Sequence, residues 1–141
     1  MALSMRQKAQ LSLEYLLLIA ALLAATAIIL PSITAFHNNA MLAIEAGKAK
    51  AFIEKIKSEG EKLMVFEEGS SSEISAFPSL EWRLKASEER IEVRVESKAL
   101  GKEKVFERRA NAIFEDFEAE GKEKISLRLR KEGGKILIVN N

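Results

Sequence analysis

The sequence predicts an α+β fold: one long N-terminal α-helix, transmembrane and then amphipathic, followed by a small antiparallel β-sheet head. Three observations lead there. Residues 15–36 carry no formal charge. From Met41 to Met64 apolar residues recur at three- and four-residue spacing with Lys and Glu between them, the pattern of a one-sided helix. Beyond Pro78 apolar and charged residues alternate, the pattern of half-buried strands.

The uncharged run from Tyr15 to Phe36 would make a helix roughly 33 Å long at ~1.5 Å per residue, enough to cross a hydrocarbon core of ~30 Å. Arg6 and Lys8 precede it, and no Lys or Arg follows until Lys48. The positive-inside bias therefore puts the N-terminus in the cytoplasm and everything from about Asn38 outside. A secretory signal peptide has a shorter apolar region of ~7–15 residues that ends at a small-residue cleavage site. Here the run is longer and passes without a break into a helical pattern, so the segment is expected to stay in the mature chain. Read by hydropathy alone, it is a simple membrane anchor.

The second half of the helix, residues 38–66, carries Met41, Ile44, Ala49, Phe52, Ile53, Ile56, Leu63 and Met64 as its apolar stripe. The expected role of that stripe is packing on the head. Pro31, Gly47 and Gly60 are the places where the helix could bend or weaken. Residues 67–79 have the composition of a helix end and linker, with Gly69 as a candidate C-cap.

The head, residues 80–141, begins with Trp82, Leu84 and Ala86 on one strand face, then Ile91, Val93 and Val95, then Ile125, Leu127 and Leu129. Gly133 and Gly134 should form a tight hairpin from the Ile125 strand to a last strand, Ile136 to Val139. Between Lys104 and Glu120 the pattern is ambiguous. Phe106, Ala110, Ile113 and Phe117 fit a helix face, whereas the flanking hairpins favour strands, and strands are the reading adopted.

Asp, Glu, Lys and Arg make up 30% of the chain, yet the net charge is +1, so nucleic acid is not expected as a partner. The absence of cysteine removes disulfides and thiolate metal sites. His37 is the only histidine, which leaves no His cluster for metal or acid–base work within one chain, and an interfacial polar role is expected for it. The carboxylates fall at solvent-facing positions of the helix and strand patterns, with no phosphate loop or nucleophile elbow. Neither an enzyme nor a cofactor is expected.

One carboxylate stands apart. Glu14 lies at the threshold of the apolar run, where an ionised side chain costs up to about 2.5–3.5 kcal/mol at mid-bilayer and less near the interface. Ahead of it are Lys8, Ala9, Gln10 and Ser12, and after it Tyr15 and Leu18. The order Gln10, Ser12, Glu14, Leu18 fills a Q-x-S-x-E-x-x-x-L pattern and resembles the class III signal sequence of archaeal type IV pilin-like proteins. The resemblance covers roughly residues 6–36.

That resemblance implies a cleaved leader, residues 1–9, removed by a prepilin peptidase between Ala9 and Gln10, with Lys8, Ala9, Gln10 and Ser12 forming the processing site. It implies a pilin-like lollipop in which residues 13–36 are the transmembrane and assembly part, and in which Gln10, Glu14, Tyr15 and Leu18 serve assembly. The new amine at Gln10 would meet Glu14 of a neighbouring subunit, each charge offsetting part of the other's desolvation. The expected product is an extracellular adhesion filament, a helical homo-oligomer, with an assembly ATPase and a membrane platform protein as further partners. The precursor would sit in the cell membrane with its C-terminal domain outside. The alternative is a minor pilin-like or membrane-anchored binding module, whose extracellular head recognises something without forming the bulk of a filament.

Overall fold

The computed structural model describes residues 5–141, apart from the side chains of Met5, Arg6 and Lys8. Helix α1 runs from Met5 to Val65 and continues through Pro31. Five strands follow: β1 Ser71–Ala76, β2 Glu81–Ser97, β3 Lys102–Gly121, β4 Ile125–Glu132 and β5 Lys135–Asn140. The chain divides into a first unit ending at His37 and a second unit from Asn38 to Asn141.

In the first unit the helix is apolar on every side. Leu16, Leu17, Leu18, Leu22, Leu23 and Ile28 are all exposed, as are Ile29, Leu30, Ile33 and Phe36. The hydroxyls of Thr26 and Thr34 donate to the carbonyls of Leu22 and Leu30, at 2.8 and 3.0 Å. These polar groups are thus satisfied inside their own helix, as an apolar environment requires.

In the second unit the helix packs on the sheet. Leu42, Ala49, Phe52, Ile53, Ile56 and Leu63 enter the core, following the i, i+3, i+4 periodicity of a single face. The stripe is rotated from the expected one at its start. Ile44 is 55% exposed and Leu42, Glu45 and Ala46 take the inward positions. Gly60 lies in close contact with the sheet, since a Cβ there would lie 2.7 Å from Cζ of Phe114. It is a close packing contact within the second unit.

The sheet order is β1-β4-β5-β3-β2. Gly133 and Gly134 have φ of 59° and 77° and join β4 to β5 in the hairpin expected of a Gly-Gly pair. Residues 104–120 are strand. The expectation of a purely antiparallel sheet is corrected: β3 and β5 are parallel neighbours, in register at Phe114 and Ile136. Two successive reversals, into β4 and out of it, return the chain to the direction of β3. Alternation in sequence reports which face a residue takes, not which strand lies beside it.

A second correction concerns residues 67–79, read as a linker. They contain β1, which pairs antiparallel with β4 from Ser71/Arg130 to Ala76/Ile125. Gly69, at φ 86°, is not the helix cap, because α1 ends at Val65. It turns the chain toward β4, where its N–H donates to the Lys131 carbonyl at 3.0 Å. The cap is Lys131 itself, whose Nζ donates to the carbonyls of Met64 and Phe66 at 3.0 and 2.8 Å. These are carbonyls at a helix C-terminus, where a cation is favoured.

The β2–β3 hairpin is folded back on itself. A straight strand as long as β2 would reach ~56 Å at ~3.3 Å per residue, yet Glu81, its first residue, and Lys98, just past its end, are paired at 2.6 Å. The fold-back lies where the register breaks, between Ala86 and Arg90. Glu88 there has a φ of 52°. Opposite it, β3 advances from Arg109 to Phe114 while β2 moves only from Arg90 to Glu88. This bulge explains a parity change in the sequence: Trp82, Leu84 and Ala86 are buried at even positions, Ile91, Val93 and Val95 at odd ones. The extra β3 residues, three between Arg109 and Phe114 and one between Phe114 and Phe117, break the ladder and re-aim the hairpin so that both arms face the core.

Candidate functional site

The expected processing and assembly residues all lie on the first turns of α1. Gln10, Glu14 and Leu18 are spaced at i, i+4 and i+8 and therefore share one helix face. Ala9, Gln10, Ser12, Glu14, Tyr15 and Leu18 are exposed. The Lys8 side chain, and the part of the expected leader before Met5, lie outside the described residues. The helix begins before Gln10, so the expected 1–9 boundary does not coincide with an element boundary.

The apolar surface behind this motif is long enough to span a bilayer, and none of its most apolar 18-residue window is buried. Each Leu or Ile withdrawn from water contributes about 1.5–3 kcal/mol. A helix with this many exposed on every side requires an apolar surrounding, supplied by lipid or by other helices. His37 is exposed at the end of this stretch, next to the half-buried Asn38. By length and composition this N-terminal helix is long and apolar enough to cross a membrane.

The second unit holds two features that the sequence did not reveal. Glu45 is completely buried. One of its oxygens accepts from Lys48 Nζ at 2.6 Å, and the other from the Ser79 amide at 2.9 Å. Burial alone would raise its pKa. The Lys48 ammonium and the backbone amides of Ser79 and Leu80 outweigh burial and hold it below the ordinary value of 4.5. Glu45 thus clamps the helix to the turn between β1 and β2. Its position, three residues after Leu42 and four before Ala49, was the available signal.

Beside this clamp lies a cavity of about 410 Å³, lined in part by Lys48, Phe52, Lys55, Phe77 and Trp82. Phe52 and Trp82 form its tilted aromatic pair, with ring centroids 5.9 Å apart. Phe77 is 66% exposed. The Trp82 indole N–H is buried without a hydrogen-bond partner among the described residues. No aromatic cluster is visible along the chain, because these three rings come from the helix, the β1–β2 turn and β2.

Elsewhere the surface is laced with ion pairs. Arg108 pairs with Glu54 and Arg128 with Glu73, and in each case the arginine holds the carboxylate pKa below its ordinary value. Glu68 accepts from the amides of Gly133 and Gly134 at 3.0 and 3.2 Å and so fixes the last hairpin turn. Among the described residues no group of three or more His, Cys, Asp or Glu is placed to hold a metal ion. No protein family, curated protein or solved structure matches the chain.

Proposed function

We propose that this chain is a structural subunit of an extracellular type IV pilus-like filament, cleaved before Gln10 and polymerised through its apolar helix. The observation that carries the reading is the Gln10, Ser12, Glu14, Leu18 motif on the first turns of a helix whose following stretch is apolar and exposed on all sides. An anchor alone needs the apolar surface but has no use for a carboxylate at its edge. A subunit needs both: the surface exchanges lipid for neighbouring helices, and Glu14 meets the amine that cleavage creates. The chain acts without a cofactor and is not an enzyme in this reading. Its partners are other copies, a prepilin peptidase, an assembly ATPase and a platform protein.

Mass spectrometry of the membrane-derived chain tests the processing step. An N-terminus at Gln10 is expected, and an intact Met1 or a cut beyond Phe36 would overturn the proposal. Imaging of surface filaments with identification of their subunit tests the assembly step. Glu14→Gln should reduce filament yield at neutral pH, and unchanged yield and length would remove the amine pairing from the mechanism.

A second reading, a membrane-anchored binding module with an extracellular head, is favoured by one observation, the cavity under Phe77 with its two flanking lysines. A head that serves only as a filament surface has no need of it. Abundant filaments made of this chain would decide for the first reading, and its presence as isolated membrane copies for the second.

A further inference from the structure

The long edge strand β2 carries a charge order that is its own complement. β2 is one of the two outer strands of the sheet, and its second arm, Arg90 to Ser97, keeps an unbroken register with β3. Along that arm Ile91, Val93 and Val95 are fully buried, backbone included. In an antiparallel strand the N–H and C=O of one residue point to the same side and successive residues alternate. The edge groups left open therefore belong to the intervening residues, Arg90, Glu92, Arg94 and Glu96, which also carry the exposed or half-exposed side chains.

We infer that this arm of β2 pairs antiparallel with the same arm of a second copy of this chain, about a two-fold axis through Val93. In that register Arg90 faces Glu96 of the other copy and Glu92 faces its Arg94, and symmetry repeats each pair. Every outward charge then meets its opposite. A slip of two residues in one direction sets Glu92 against Glu92 and Arg90 against Arg94. A slip the other way sets Arg94 against Arg94 and Glu92 against Glu96. Parallel pairing in register opposes every charge to its own kind.

Like charges directly opposite on paired strands are destabilising and unlike charges stabilising, so one arrangement is selected and its near neighbours are rejected. An open edge is a ready template for another strand, and a mixed charge row is a means of choosing which. Within one chain Arg94 lies 3.2 Å from Glu92 and 3.7 Å from Glu103, and Arg90 lies 3.6 Å from Glu107. Such surface pairs are weak and leave these side chains able to take up a second partner. The apolar face of the arm is already sealed, so the contact rests on backbone hydrogen bonds and charge and must weaken with salt. The other outer strand, β1, is only six residues long and has no such charge order. An isologous contact is used up by one pair. It therefore ties subunits together two at a time and is distinct from polymerisation through α1.

The test is the mass of the full-length chain in detergent micelles, measured by analytical ultracentrifugation at low and high salt. The native chain should be a dimer at low salt, with a dissociation constant that rises about tenfold or more on going to roughly 0.5 M NaCl as surface charges are screened. Two charge variants sharpen it. Glu92→Arg with Glu96→Arg makes the row wholly positive, and Arg90→Glu with Arg94→Glu makes it wholly negative. Each alone should be monomeric, and an equimolar mixture should restore the dimer. A native chain that is monomeric at low salt would overturn the inference without any variant. So would variants that each dimerise as the native chain does, which would place the contact in the helix. A mixture that stays monomeric, with both variants showing native circular dichroism, would overturn the register.

Discussion

The two units of this chain share one helix and put it to opposite uses. Up to His37 the apolar side chains are exposed on every side, whereas from Asn38 onward they fall on one face and are covered by the chain's own sheet. The difference is in pattern, not in apolar content alone. Where charges interrupt the helix at three- and four-residue spacing, one face remains for the sheet to cover. Where they do not, no single partner within the chain can cover the whole circumference. The second unit therefore carries its stability within itself, and the first depends on what surrounds it.

The largest expected effect separates the two directly. Ile53 is completely buried between helix and sheet, and Ile53→Ala should lower the unfolding free energy of the second unit by about 2–5 kcal/mol. Leu17→Ala in the first unit, at 63% exposure, should leave that unfolding transition in place. Urea titration of the full chain in detergent, followed by Trp82 fluorescence, reads both. Equal losses from the two substitutions would mean that the halves of the helix are not independent.

The converse substitution places a charge on the apolar surface. Leu23→Arg should cost about 2.5–3.5 kcal/mol of membrane insertion at mid-helix. The chain should shift from the membrane to the soluble fraction while the Trp82 transition stays where it was. Retention in the membrane at native level would show that this surface does not meet lipid.

Glu45 is the point at which the second unit departs most from its own pattern. Glu45→Ala would remove the charged acceptor of the Ser79 amide, at about 1.5–3 kcal/mol for a hydrogen bond to a charged group, and Glu45→Gln, which retains an oxygen, should lose less. The folded pKa of Glu45 lies below its ordinary 4.5. Its contribution is therefore complete above the unfolded value and declines as the pH falls through the folded one. Urea midpoints taken from neutral pH down to about pH 3 should fall on the acid side, and Glu45→Gln should flatten that fall. An unchanged acid slope would remove Glu45 from the linkage, leaving Glu54, Glu59, Glu73 and Glu81, whose pKa values are also lowered.

Much of this was legible along the chain, for reasons that are local. The uncharged run, the helix face around Phe52 and Ile56, and the Gly133–Gly134 turn each depend on residues within a few positions of one another. What escaped depends on distant neighbours. The parity change from Ala86 to Ile91 looked like two strands, because a bulge that folds one strand back leaves the same trace as a turn between two. β1 was hidden in a Ser-rich stretch whose only buried hydrophobic side chain is Ile74. The burial of Glu45 needed the amides of the β1–β2 turn. The Phe52–Trp82 pair joins residues on different elements. In the first unit, the placement of Gln10, Glu14 and Leu18 on one face was legible from spacing alone.

The smallest effect concerns how the second unit ends the helix. A helix leaves its last four carbonyls without intrahelical donors, and here two carbonyls at that end, those of Met64 and Phe66, receive the Lys131 ammonium. The same residue holds Gly69 and Ser70 through its backbone, accepting from the Gly69 amide at 3.0 Å and donating to the Ser70 carbonyl at 2.9 Å. Lys131→Met keeps the aliphatic stem and both backbone bonds and deletes only the cation, so the loss should be about 0.5–1.5 kcal/mol. It should also be local. Amide exchange should quicken in the last turns before Val65 and remain unchanged from Leu22 to Leu30, because the first unit has no part in this cap. Quickened exchange along the whole helix would instead show that α1 responds as a single rod, and the contrast between its two halves would then belong to their surroundings alone.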